Sequence, residues 1–262
     1  MEVESLLTGK IVKRKPSWTH FFLQENWKDR TSQSLFFIRI FIVVAFGTLI
    51  VANAITGITL QSANVDCIWD GLFQATRPIN QFFRENETPR SIMLIISSFL
   101  VDILVVNYAT NFILWGKTWR TAICLFCFYA FRGLIQNIFV MEFPYGQAWG
   151  YPGFPSLTVS YYVTNDFFFS GHVGVITILS LDSHARGKRG LMWISIATVF
   201  IEFWVMIFLR GHYTIDLISG ILIAHYMWII SKKVSRALDR ISGYKRPSNE
   251  YGIDNGTEFS KI

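Results

Sequence analysis

The chain has 262 residues, of which 52% are apolar and only 16% charged, with a mean hydropathy of +0.36. Soluble domains carry about 25% charge, so this balance belongs to a membrane protein; it excludes disorder, collagen-like repeats and disulfide scaffolds for the bulk of the chain. The net charge of +6 does not point to nucleic acid, because the basic residues lie at the two ends and in short loops between apolar runs.

Residues 1–34 form a basic arm with interleaved aromatics (KIVKRKPSWTHFF), read as a cytosolic flank. They hold no short apolar core with a small-residue cleavage site, so no removable signal peptide is expected and the first span serves as the targeting signal. Six apolar segments follow. Residues 35–60 carry only Arg39, 91–115 only Asp102, and 119–140 Arg120 and Arg132. Cys124 and Cys127 read as small apolar residues of that third helix. The fourth segment, 167–181, is short; 190–209 carries Glu202, and 213–231 carries Asp216 and His225. A span needs about 20 residues at 1.5 Å each, so five segments cross outright and the fourth crosses if tilted or extended. The expected fold is all-α, a polytopic protein whose six transmembrane helices form one domain over 35–231. Residues 232–262 are its flexible cytosolic tail.

Basic residues set the expected orientation. With the N-terminus in the cytosol, 18 of the 24 Lys and Arg fall on the cytosolic side and 4 on the other, with Arg39 and Arg132 inside spans. Both termini are then cytosolic, and the loops 61–90 and 141–166 face the lumen or exterior. The sequon Asn86-Glu87-Thr88 lies on the lumenal side, and Asn255-Gly256-Thr257 on the cytosolic side.

Ionisable residues in spans mark function by default. His20 and His184 fall in cytosolic segments, and His225 lies on the helix face opposite Asp216 and deeper in the membrane, where it reads as a packing or helix-contact residue. His172, in FFFSGHVG, and His212, in RGHYTID, both lie at the outer face although forty positions separate them. Asp216 follows His212 by four, which on a helix puts its carboxylate within reach of the imidazole. A carboxylate on one ring nitrogen fixes the tautomer and frees the other nitrogen as nucleophile or base. A second histidine can protonate a leaving oxygen. Ser170 and Gly171 open a helix, whose free amides and dipole hold an anion, and Arg210 adds a fork suited to phosphoryl oxygens. These residues describe a phosphate site at the headgroup level. Three competing readings remain: a metal held by two histidines and one carboxylate, a structural polar cluster in a scaffold or transporter, and hydrolysis in place of transfer.

At these residues the sequence resembles the lipid phosphatase (PAP2) superfamily, and within it the sphingomyelin synthases. Ser-Gly-His at 170–172 and His-x3-Asp at 212–216 match the phosphatase pattern, but Asp70 stands where that pattern has the Lys before Arg77-Pro78. NDFFFSGH (165–172) and HYTID (212–216) are similar to the synthase motifs. FRG (131–133), SGHVG (170–174), SLD (180–182) and RGHYTIDL (210–217) resemble the phosphatidylcholine:diacylglycerol cholinephosphotransferases.

The resemblance implies a PAP2-like helical core and phosphocholine transfer from a glycerophospholipid to ceramide, with diacylglycerol or water as alternative acceptors. It implies His212 as nucleophile, Asp216 as its orienting partner and His172 as the acid that protonates the departing oxygen. Arg210, Ser170, Gly171 and Arg132 would carry the phosphate's charge without metal or cofactor. The partners are membrane lipids, not nucleic acid, in the Golgi, endoplasmic reticulum or plasma membrane. Asp102, Glu142, Asp166 and Glu202 are lesser candidates; Asp102 and Arg132 lie at similar depth and are suited to a buried structural pair.

Overall fold

A computed structural model describes residues 33–59, 68–139, 141–159, 161 and 167–242. The basic arm before residue 33, Asn165, Asp166, Asn255 and the tail beyond 242 lie outside the described residues.

Among the described residues every regular element is helical. In chain order these are α1 (Gln33–Thr59), α2 (Gly71–Ala75), α3 (Arg77–Glu85), α4 (Glu87–Trp115), α5 (Arg120–Ile138), α6 (Gly171–Ala185), α7 (Arg189–Phe208) and α8 (Thr214–Ile241). α4, α5, α7 and α8 are each long and apolar enough to cross a membrane. α6 has 15 residues and at 1.5 Å per residue is only about 22 Å long. α8 runs on to Ile241, past the apolar segment that predicts it, because its basic last turns continue as helix.

The exposed faces are greasy and the interior carries the polar groups. On α4, Ile92, Ile96, Phe99, Ile103 and Val106 recur at helical spacing and all stand exposed. Water would penalise such a stripe, whereas lipid tails accept it. The chain is an integral membrane protein.

α6 is the central element: α4, α5, α7 and α8 all pack on it, and α1 leans on α4 and α5. Small residues permit the close approach, as at Gly174, where a Cβ would run into the Phe128 ring at 2.1 Å. Polar contacts tie the two ends. At one end Asp239 accepts from the Trp119 amide (2.8 Å) and the Thr118 hydroxyl (2.9 Å), and Asp182 accepts from Thr121 (2.5 Å) and pairs with Arg186 (2.8 Å). At the other end lie α2, α3, the described parts of 139–170 and the turn 209–213. α2 and α3 are absent from the sequence-based expectation, which leaves 61–90 as a loop. They form because Asp70 caps α2 through the amides of Leu72 and Phe73, and a proline opens α3.

Candidate active site

Two turns build the site, one into α6 and one into α8. Ser170 is fully buried and its amide donates to the Asp216 carbonyl at 2.9 Å. α8 can lie this close because residue 220 is glycine: a Cβ there would stand 2.9 Å from the Ser170 carbonyl oxygen. The Ser170 hydroxyl has no hydrogen-bond partner among the described residues.

Asp216 is also fully buried, and each of its oxygens is occupied. Oδ1 accepts from the Phe168 amide at 3.1 Å, and Oδ2 from the Tyr213 amide at 3.0 Å. His212, only 2% exposed, brings Nδ1 to 3.4 Å from Oδ2, a contact longer and less aligned than a hydrogen bond. One carboxylate therefore holds the turn before α6 and the start of α8, with one histidine beside it. Phe168 and Arg210 both take left-handed backbone, with φ of 93° and 56°. That conformation is strained for any residue with a Cβ, and it shapes the turns that present the two histidines.

The His172 and His212 rings lie 6.4 Å apart, centroid to centroid, at 62°. Phe167 sets its ring edge-on to His212 at 5.8 Å, and Trp149 lies 6.0 Å from His172. Trp149 also lies against residue 211, where a Cβ would meet its ring at 3.1 Å. Sequence reading gives no hint of Trp149, because it lies in the irregular stretch 139–159 and reaches both histidines only through the fold.

Arg132 sits beneath the Ser170–Gly171 turn. Its Nε donates to the Phe169 carbonyl at 3.1 Å, and a Cβ on Gly171 would touch the guanidinium at 3.4 Å. With the Gln136 amide turned so that its oxygen faces the guanidinium, Nη1 and Nη2 donate to it at 3.1 and 3.2 Å. The expected Asp102–Arg132 pair does not form. Asp102 instead accepts from the Ser156 and Thr158 hydroxyls and from the amides of Leu157 and Thr158, all between 2.6 and 3.0 Å. The segment 156–158 thus dips to mid-helix on α4. Arg132 lies about 18 Å along α5 from its start, so the turn into α6 sits at a similar depth.

Arg210 turns away from the histidine pair. Its Nη2 donates to the Phe73 carbonyl at 2.5 Å, and the guanidinium stacks on the Phe73 ring at 4.0 Å. Burial lowers its pKa, with Asp70 opposing and Arg77 adding to the effect. It lines a cavity of about 580 Å³ together with Asp70, Arg77, Arg84, Tyr145 and Tyr213. Asp70, in the place of the phosphatase lysine, clamps α2 to α8, because Thr214 donates to it from both the amide (2.7 Å) and the hydroxyl (2.8 Å). Tyr213 donates to the Glu142 carbonyl at 3.0 Å. Glu202 is buried and faces α4, accepting from the Ser97 hydroxyl at 2.6 Å. His225 stands exposed on α8 and is not the packing residue its place in the span suggests, because it faces outward.

No three His, Cys, Asp or Glu side chains among the described residues converge as metal ligands. What does converge is a pair of imidazoles, a buried carboxylate, a guanidinium and the N-terminus of α6, the components of nucleophilic and acid–base chemistry on a phosphate. A family model described as AtPDCT1/2, the phosphatidylcholine:diacylglycerol cholinephosphotransferases, matches residues 69–233, a stretch that contains every one of these groups. No match was found among curated proteins or among solved structures.

Proposed function

Because this chain belongs to the AtPDCT1/2 family, a family of lipid headgroup transferases, we propose that it moves phosphocholine from phosphatidylcholine to diacylglycerol through a phosphohistidine. The observation that carries the mechanism is the facing pair His172 and His212, 6.4 Å apart, with Asp216 behind the second ring. Asp216 lies on the Nδ1 side of His212, 3.4 Å away, so Nε2 attacks phosphorus. The bond to the departing diacylglycerol oxygen breaks as His172 gives that oxygen its proton. In the second half His172 takes the proton of the incoming hydroxyl, whose oxygen attacks phosphorus and breaks the phosphorus–nitrogen bond.

Leaving group and acceptor are the same kind of alcohol, so one acid–base residue serves both halves. The exchange is close to energetically even and can run in either direction. Arg132 and the first amides of α6 face the place where charge develops on the phosphoryl oxygens. Arg210, directed into the neighbouring cavity, acts by shaping the turn that carries His212 and by adding positive charge beside it.

Six crossings, a PAP2-like core and a lumenal or exoplasmic site with cytosolic termini complete the reading. α1 and the short α6 supply the two crossings beyond the four long helices. The test is transfer by purified protein in phosphatidylcholine vesicles holding labelled diacylglycerol, with labelled ceramide in parallel. Labelled phosphatidylcholine is expected. Sphingomyelin alone would return the protein to the ceramide branch, and no product in either tube would overturn the transfer reading.

A further inference from the structure

The two histidines and Arg132 account for a donor's phosphorus but leave its alcohol unread. Beside His172 three aromatic rings run outward in a row. Trp149 lies 6.0 Å from the His172 ring, Tyr161 lies 5.8 Å from Trp149, and Tyr151 lies 5.9 Å from Tyr161. The row ends in the open, where Tyr151 is 64% exposed. Its inner end is fixed, since Trp149 packs on Gly211 next to His212.

The wall behind the row is acidic. Among the described residues Asp102 is held by neutral donors alone, so its charge meets no cation. Asp102 acts on Tyr161 of the row: burial raises its phenol first, Ser98 opposes, and Asp102 is the first of the acidic groups that add to the rise. Aromatic faces backed by negative charge attract a weakly hydrated cation. A quaternary ammonium, having no N–H to satisfy, suits that surface better than a primary ammonium, which would give up hydrogen bonds to water.

Resting on the headgroup-transfer reading above, we infer that Trp149, Tyr161 and Tyr151 form a subsite for a quaternary ammonium. The donor's choline lies on the row while its phosphate lies between the two histidines. The first ring of the row adjoins His172, so the ethylene linker of choline spans from one to the other. Selection for choline over ethanolamine then comes from Trp149, Tyr151 and Tyr161 and not from the catalytic motifs.

The test uses the full-length protein in nanodiscs and two single-chain probes, dodecylphosphocholine and an isostere with uncharged 3,3-dimethylbutanol in place of choline. Shape and phosphate are common to both, so their affinity ratio reads the cation alone. The wild-type protein is expected to prefer the choline probe by roughly 3- to 30-fold, the range cation–π contacts support. Trp149→Leu and Tyr161→Leu should bring the ratio close to unity. Trp149→Phe, which keeps a ring on Gly211 should the leucine variant fail to fold, should give a ratio below wild type. Equal binding of the two probes by the wild type, or an unchanged ratio in the variants, overturns the subsite. Turnover of phosphatidylcholine by the same samples separates the two proposals. A choline preference without turnover sinks the transfer reaction and supports the subsite; turnover without preference sinks the subsite alone.

Discussion

Asp216 holds more of the local structure than His212 does, because its oxygens take the amides of Phe168 and Tyr213 while His212 packs beside them. The two side chains therefore part in their consequences. His212→Ala should lower transfer by about 10⁴-fold or more, as loss of a covalent nucleophile does, with the melting temperature little changed. Asp216→Ala should lower transfer by about 10²- to 10⁴-fold and destabilise the fold by roughly 3–5 kcal/mol, the worth of two charge-assisted hydrogen bonds. Activity and thermal unfolding measured on the same preparations check both. A His212→Ala variant that keeps its turnover removes the phosphohistidine. The residues of this unit were legible in the sequence because Ser170-Gly171-His172 and His212-x3-Asp216 are local patterns. Trp149 and the Thr214 clamp on Asp70 were not, since each joins positions far apart in the chain and no local spacing encodes such a contact.

Between elements, the decisive contact is α8 against the turn into α6. Gly220→Ala places a Cβ 2.9 Å from the Ser170 carbonyl, which is backbone and yields only if the turn moves. The overpacking costs about 1–3 kcal/mol, and the displaced turn should cut transfer about tenfold or more, since small misplacements are expensive in a prepositioned site. Steady-state rates with a unfolding curve decide it; undiminished turnover would mean the turn is not part of the site. Asp70→Ala should free α2 from α8, seen as faster hydrogen exchange over residues 71–77 with protection in α4 unchanged. The long helices were readable as apolar runs. α2 and α3 were hidden because their amphipathic residues read as a charged loop, and because their docking depends on Asn80 reaching the carbonyls of Gly146 and Phe208. The Asp102–Arg132 pairing failed for a related reason: similar depth on two helices says nothing of which way either side chain faces.

Over the whole molecule, the end built by 116–119, 186–188 and the last turns of α8 is the one the basic residues assign to the cytosol, opposite the histidines. With Cys67, the chain's third cysteine, replaced by serine, Tyr145→Cys on the site's end should react with an impermeant thiol reagent from the lumenal or exterior side. His184→Cys should react only after permeabilisation, and the reverse pattern would overturn the orientation. The shortness of α6 has its effect at this scale. In the proposed six-span reading, a helix of about 22 Å in a hydrocarbon layer of about 30 Å leaves its first turn sunk below the outer surface. Diacylglycerol, with a single small hydroxyl, rests naturally at that level, while water is scarce there. In the proposed mechanism, whether a phosphohistidine gives up its cargo to a lipid or to water is then decided by supply: the imidazole would serve either acceptor, and only one is abundant where the helix begins.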